Sequence, residues 1–491
     1  MRTASTAWSR RGFVAAGGIA VAVSAFDPVR RGWVTPAHAD PGLGIPVPPL
    51  DGELTVDPAA LAEASEDYGH IISRVPVAVL RPGSAEDVAT IIRYADDVGV
   101  KVAARGVSHS VFGQAQVDSG IVIDMRTLAT VHALDASGAW VDAGVRWRKL
   151  IEAALSRGLS PRVLADYVEL TVGGVLSVGG VGGASHRFGL VVDNVEALEV
   201  VTGQGDLLTC SPTDHPVLFR AVLGGLGQCA VITKAKIRLH GAPTMARVYQ
   251  LIYTDANPYV ADQRTLARDR RFDYLEGQIV PAPSGGGFVL VLEGAAYFSS
   301  TPPDDGALLA GLTPADGIPP TIFDLPYLAW LNRLAEFEAA LRSIGRWETP
   351  HPWLDLFLPD RGVEAFMADQ IARLTPDDLG AGLGLFYPFR RARPQRTSMV
   401  FPRGPGLVWL FDLLRYPPAD PTLVDALLAD NRARFEQARD FGGKRYPISA
   451  VEFSADDWRS HFGPGLARFA RHKAFFDPSN ILTPGQGIFR G

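Results

Sequence analysis

An imidazole stands among small residues at Arg105-Gly106-Val107-Ser108-His109-Ser110, with Gln114 four positions further on. Small neighbours leave the ring open to a ligand, and a neutral ring nitrogen can attack an electrophile or hold a hydrogen bond. A polar loop histidine bonded to backbone fits the same residues, so the loop alone does not decide between the two. A glycine-rich run, Gly173-Gly174-Val175-Leu176-Ser177 and then Gly179-Gly180-Val181-Gly182-Gly183, is the second chemically capable stretch. Repeated glycines let backbone N–H groups approach a pyrophosphate, and successive N–H groups form an anion-binding hollow. A packing turn would use the same glycines. No segment has the strand–GxGxxG–helix layout of a nicotinamide site, so any pyrophosphate is held differently.

The elements around the histidine loop are readable. Ser84 caps a helix in which Val88, Ile91, Ile92 and Ala95 recur on one face. Lys101 to Arg105 reads as a strand and Ile121 to Met125 as another, so the loop hangs from a rigid α/β unit. Gly203-Gln204-Gly205 turns a hairpin between Val195–Thr202 and Asp206–Cys210.

A chain of 491 residues exceeds what one core usually serves, which predicts two domains. The net charge of −6, with Lys and Arg scattered, leaves no basic stripe for nucleic acid. Ser9-Arg10-Arg11-Gly12-Phe13 precedes an apolar run from Val14 to Phe26, and Ala37-His38-Ala39 offers a cleavage site. That is the pattern of a twin-arginine export signal over residues 1–39, with a run too short for a permanent membrane helix. It predicts passage through the twin-arginine machinery, an extracellular or cell-envelope address, and no permanent membrane anchor. Cys210 and Cys229 each lie in strand-like segments with nothing to fix their separation, so pairing after export stays open beside the favoured reading of two free buried thiols.

Four ordered blocks carry a family resemblance. The Arg105–Ser110 loop resembles the R-G-x-G-H-S flavin loop of vanillyl-alcohol-oxidase-type FAD oxidoreductases, with Val107 and Ser108 replacing the Arg and Gly of the cytokinin dehydrogenase version. Asp166-Tyr167-Val168-Glu169-Leu170-Thr171-Val172-Gly173-Gly174 is similar to the D-Y-L-x-L-T-V-G-G run of cytokinin dehydrogenases. Leu223 to Gln228 with Ala230 to Ala235 resembles their L-G-G-L-G-Q-F-G-I-I-T-R-A, and Phe475 to Phe489 resembles their F-D-P-x-x-I-L-x-P-G-Q-x-I-F ending. Between the third and fourth blocks, Phe272-Asp273-Tyr274-Leu275-Glu276-Gly277 resembles F-D-Y-V-E-G, and His351 to Pro359 resembles P-H-P-W-L-N-L-F-V-P. Phe386-Tyr387-Pro388 and Trp458-Arg459-Ser460-His461-Phe462-Gly463 also match family segments.

The resemblance implies an α+β, two-domain vanillyl-alcohol-oxidase-type flavoprotein. Its FAD-binding domain is discontinuous, over 40–243 (core about 74–243) and 445–491, and is interrupted by an α+β substrate cap at 244–444. It further implies FAD bound covalently through His109. Cofactor contacts are expected from Gly106, Val107, Ser108, Ser110, Gln114, Asp166, Thr171, Ser177, Val181, Ile232, Tyr446, Thr483 and Gln486. Glu276, Trp353 and Tyr387 are expected at the substrate, and no metal is expected.

The implied reaction is oxidation of N6-isoprenoid adenines at the C–N bond to the isoprenoid substituent, with O2 or a quinone as electron acceptor. Asp166 occupies the position of the family's W-T-D-Y-L aspartate and is the expected base, since a carboxylate facing an apolar cavity is well suited to take an amine proton. The W-T before it is Leu164-Ala165 here, which keeps open a related FAD-linked oxidase of an alcohol, a sugar or another amine.

Overall fold

A computed structural model describes residues 25–27, 32–34, 45–282, 285–391 and 397–489. Most of the export-signal pattern lies outside the described residues. The exceptions are two short strands, Ala25–Asp27 and Gly32–Val34, which pair with each other and, through the first, with Ile45–Pro46.

The histidine loop springs from a four-stranded sheet. Ala78–Arg81, Ile121–Asp124 and Val102–Arg105 run parallel, with Glu53–Thr55 antiparallel at one edge. The central strands are apolar up to their last residues, Arg81 and Asp124, as buried parallel strands are, and Ile121, Val122 and Ile123 are fully buried. The helix Ala85–Asp97 covers this sheet. Ser84 Oγ accepts from Asp87 N at 3.2 Å, so the helix starts at its expected cap.

A second, five-stranded antiparallel sheet orders Leu207–Cys210, Val195–Thr202, Ala230–Ile237, Gly138–Asp142 and Val131–Asp135. The hairpin at 203–205 is present, and Cys210 and Cys229 are buried free thiols.

A third sheet has eight antiparallel strands: Thr321–Pro326, Met245–Tyr253, Phe288–Phe298, Tyr274–Pro281, Leu383–Phe389, Val408–Leu414, Leu354–Pro359 and Lys444–Arg445. Side chains alternate between its faces. One face is apolar and takes the helices Ala256–Asp269 and Val363–Arg373, where Phe366 stands edge-on to Phe411 at 5.6 Å. Gly277 lies there because an added Cβ would come within 2.2 Å of the Tyr259 hydroxyl.

The opposite face is polar although buried. Gln250 opposes Glu293, Glu293 opposes Glu276, and Asp355 opposes Asp412 in register. Gln278, Tyr274 and Tyr387 lie on the same face. This face turns toward the first two sheets: Leu275 N donates to Gly183 O at 3.1 Å, and a Cβ on Gly183 would meet the Tyr274 ring at 2.3 Å. Lys444–Arg445 closes the edge of this sheet, so the last return to the first two sheets begins just after it. There Val102 N donates to Ile481 O, and Thr483 N donates to Val102 O, each at 2.8 Å.

Candidate active site

Packing brings the four glycine-bearing blocks to one place. A Cβ on Gly106 would stand 2.1 Å from Thr171 Oγ1, so the histidine loop and the second block touch where only glycine fits. The third block joins the second through Leu226 N to Ser177 O at 2.9 Å. It joins the last through Thr483 Oγ1 to Gly227 O at 2.9 Å and Gln228 Nε2 to Thr483 O at 3.0 Å. Gly227 takes φ +69°, a conformation glycine adopts without strain.

His109 sits in a stack of rings. Its centroid is 4.1 Å from Tyr68 and 4.9 Å from Tyr167, and Trp353 meets it edge-on at 5.7 Å. Burial among these rings and the neighbouring His351 lower its pKa, so the imidazole is neutral near pH 7 with a ring nitrogen free to bond. It opens on a cavity of about 540 Å³ whose wall includes Val107, Asp166, Glu338 and Trp347.

The loop is held by a residue the sequence did not single out. Asp67 accepts from Gly113 N at 2.7 Å, Ser110 Oγ at 3.0 Å and Gly69 N at 3.1 Å. Burial pushes its pKa up to about 7 against those bonds and the Arg105 charge. Gln114 spends its amide on Phe112 N and on Ser449 O, tying the loop to the segment that follows the third sheet.

Asp166 borders the same cavity. It accepts from the Tyr274 hydroxyl at 2.7 Å and pairs with Arg333 at 3.1 Å. The Arg333 guanidinium also reaches Glu276 at 3.6 Å and lies over the Tyr274 and Trp330 rings. Glu276 accepts from the Tyr274 hydroxyl and from Gln278 Nε2, and burial with the nearby Asp166 charge raises its pKa. Arg333 Nε also lies 3.7 Å from Glu293, so three carboxyl groups share one arginine, the kind of pairing that makes buried charges tolerable. A second cavity of about 270 Å³ lies against Leu164, Ala165, Asp166 and Tyr274, so the two residues that replace W-T shape the ground beside this carboxylate.

The remaining expected residues divide. Tyr446 is buried and its hydroxyl accepts from Gly180 N at 3.3 Å, which links the third sheet to the glycine run. Trp353 and Tyr387 are buried on the polar face. Thr171 Oγ1 accepts from Gly174 N and keeps its own proton to donate, while Ser177 Oγ donates to Gly173 O and keeps its lone pairs to accept. Val181 is buried beside them. Ile232 is one layer back, paired with Val200 in the five-stranded sheet.

Buried polar atoms without a hydrogen-bond partner on these segments include Ser108 Oγ, Trp353 Nε1 and Gln486 Oε1. Buried polar groups are rarely left unpaired, and a bound ligand supplies the missing bonds. These unpartnered polar atoms, on segments that the packing brings together, fit a polar cofactor such as FAD.

Comparison with known proteins agrees. Residues 76–211 match the family described as "FAD binding domain", and residues 286–489 match "Cytokinin dehydrogenase 1, FAD and cytokinin binding". The chain is 34% identical to cytokinin dehydrogenase 4 of Arabidopsis thaliana, over 92% of this chain and 95% of that one. It belongs to the cytokinin dehydrogenase family.

Cytokinin dehydrogenase 6 of Oryza sativa subsp. japonica is 36% identical, over 89% of this chain and 91% of that protein. An uncharacterised oxidoreductase of the fasciation locus of Rhodococcoides fascians is 41% identical, over 89% of this chain and 99% of that one. As a member of this family the protein is an FAD-dependent oxidoreductase with an α+β fold.

Proposed function

We propose that the enzyme oxidises N6-isoprenoid adenines, isopentenyladenine being the type substrate, at the C–N bond to the isoprenoid substituent, giving an imine that water hydrolyses to adenine and an aldehyde. The observation that supports this most is Asp166, a carboxylate on the cavity wall shared with His109, held by Arg333 and Tyr274. FAD supplies the two-electron acceptor when bound. Asp166 accepts the amine N–H proton as the substrate is oxidised, and its bonds to Tyr274 and Arg333 fix which oxygen faces the substrate. Glu276, which shares the Tyr274 hydroxyl with Asp166, and Trp353, edge-on to His109, are the side chains proposed to grip a flat purine. We further infer that His109 carries FAD covalently, because its imidazole is neutral and lines the cavity.

Anaerobic mixing with isopentenyladenine, alditols and sugar aldehydes in turn tests the reading. Bleaching of the flavin absorbance by isopentenyladenine alone supports it, and bleaching by a polyol but by no N6-substituted adenine refutes it.

A further inference from the structure

The buried polar face of the third sheet carries two more carboxyls that the proposed oxidation does not use. Asp355 on Leu354–Pro359 stands directly opposite Asp412 on Val408–Leu414, so both side chains rise from the polar face. Directly opposed residues hold their Cβ atoms about 4.5–5.5 Å apart. Asp355 is 0% and Asp412 5% exposed, and both oxygens of Asp355 and Oδ1 of Asp412 lack any hydrogen-bond partner. Two carboxylates that close and that dry do not both ionise near neutral pH. The resembled family block reads P-H-P-W-L-N-L-F, with a neutral amide where this protein has Asp355.

The pair lies between the two ends of the cofactor cradle. Trp353, two positions before Asp355 on the same face, meets the His109 ring. Tyr446 N donates to Asp355 O at 2.9 Å, and the Tyr446 hydroxyl reaches Gly180 N. Asp355 N also donates to Ser449 Oγ at 3.0 Å, and Ser449 O takes the Gln114 amide.

The charged and titratable groups around the pair are few. Burial, each other's charge, Glu276 and Asp166 raise the Asp412 pKa, while burial raises that of Asp355 and the Arg445 cation lowers it. Arg445 spends Nη1 on Val451 O and lies over the Phe453 and Trp458 rings, without an ion pair to either carboxyl among the described residues. Tyr387 and Tyr446 contribute only neutral phenols.

We propose that Asp355 and Asp412 share one proton, and that the charge of this pair tunes the reduction potential of the bound FAD. A negative charge in a low-dielectric wall opposes the addition of electrons to a nearby ring, and protonation of the wall relieves that opposition. The pair tunes the cofactor and touches no reacting atom. This inference rests on FAD binding and not on the identity of the substrate.

Spectroelectrochemical titration of the wild-type and Asp355→Asn/Asp412→Asn holoenzymes, without substrate and at a series of pH values, tests it. The expected result is a more positive midpoint potential in the double variant near neutral pH, and loss of a break that the wild-type potential shows against pH. Coincident potentials at every pH would overturn the proposal. So would a positive shift that left the wild-type break in place, because a purely structural change has no proton attached to it. If the double variant yields no soluble holoenzyme, Asp355→Asn carries the test: the remaining Asp412 is free of its neighbour's charge, so the break should move to lower pH, and a break that stays in place would overturn the proposal.

Discussion

Asp67→Asn tests how the histidine loop is held, and its effect can be worked out from the geometry. Wild-type Asp67 is 4% exposed and accepts three hydrogen bonds, from Gly113, Ser110 and Gly69. Burial lifts its pKa from 3.8 to about 7. A lift of roughly three units, at about 1.4 kcal/mol each, makes the ionised form cost about 4 kcal/mol relative to the neutral one. A carboxyl raised on folding stabilises the fold fully below its unfolded pKa, and loses that contribution as pH climbs through the folded value. Wild-type stability therefore falls by about that amount across the window from about 3.8 to about 7.

Asparagine does not titrate. It turns an N–H toward one of the three donors, a nearly pH-independent loss of ~1–3 kcal/mol. The stability of the variant relative to wild type should rise by about 4 kcal/mol between roughly pH 4 and pH 8. Urea unfolding followed by tryptophan fluorescence, at matched FAD occupancy, reads this difference directly. A difference that stays flat across the window would refute the buried titration.

Other substitutions separate the remaining roles. His109→Ala should release the yellow colour into the supernatant on acid precipitation, whereas wild-type protein keeps it in the pellet; free flavin from wild type would rule out the covalent bond. Asp166→Asn should keep the flavin spectrum while slowing flavin reduction by isopentenyladenine ~10²–10⁴-fold, and an unchanged rate would remove Asp166 as the base. Gly106→Ala drives a Cβ against Thr171 Oγ1, so FAD content per protein molecule should drop, with an overpacking cost of ~1–3 kcal/mol. Replacing Arg10 and Arg11 with Lys should leave the protein inside the cell, and undiminished export of that variant would discount the twin-arginine route.

The parts of the site that sequence revealed are those whose chemistry is local. The glycines at 179, 180 and 227 are needed for the backbone of their own turns, and Ser84 caps its own helix, so neighbouring residues announce them. Arg333, Asp67 and the Asp355–Asp412 pair are different. Arg333 meets Asp166 only because a helical segment far along the chain folds over the second block, and no periodicity marks it. Asp67 stands in an unremarkable Glu66-Asp67-Tyr68-Gly69 stretch; its carboxylate beside an aromatic residue and a glycine is a faint signal of a loop clamp. The opposition of Asp355 and Asp412 depends on strand register, which sequence spacing does not encode.

The seam where Thr483 returns to Val102 also has a temporal meaning. The strand that launches the histidine loop emerges early in synthesis, yet its neighbour in that seam comes at nearly the last stage. Contacts between such distant positions form late and slowly, because the loop they close is very long. A nascent polypeptide from which Thr483 has not yet emerged therefore has an unfinished cradle, and cofactor capture waits on this segment. Truncation just before Asn480 should leave secondary structure largely in place and remove the ability to retain a flavin.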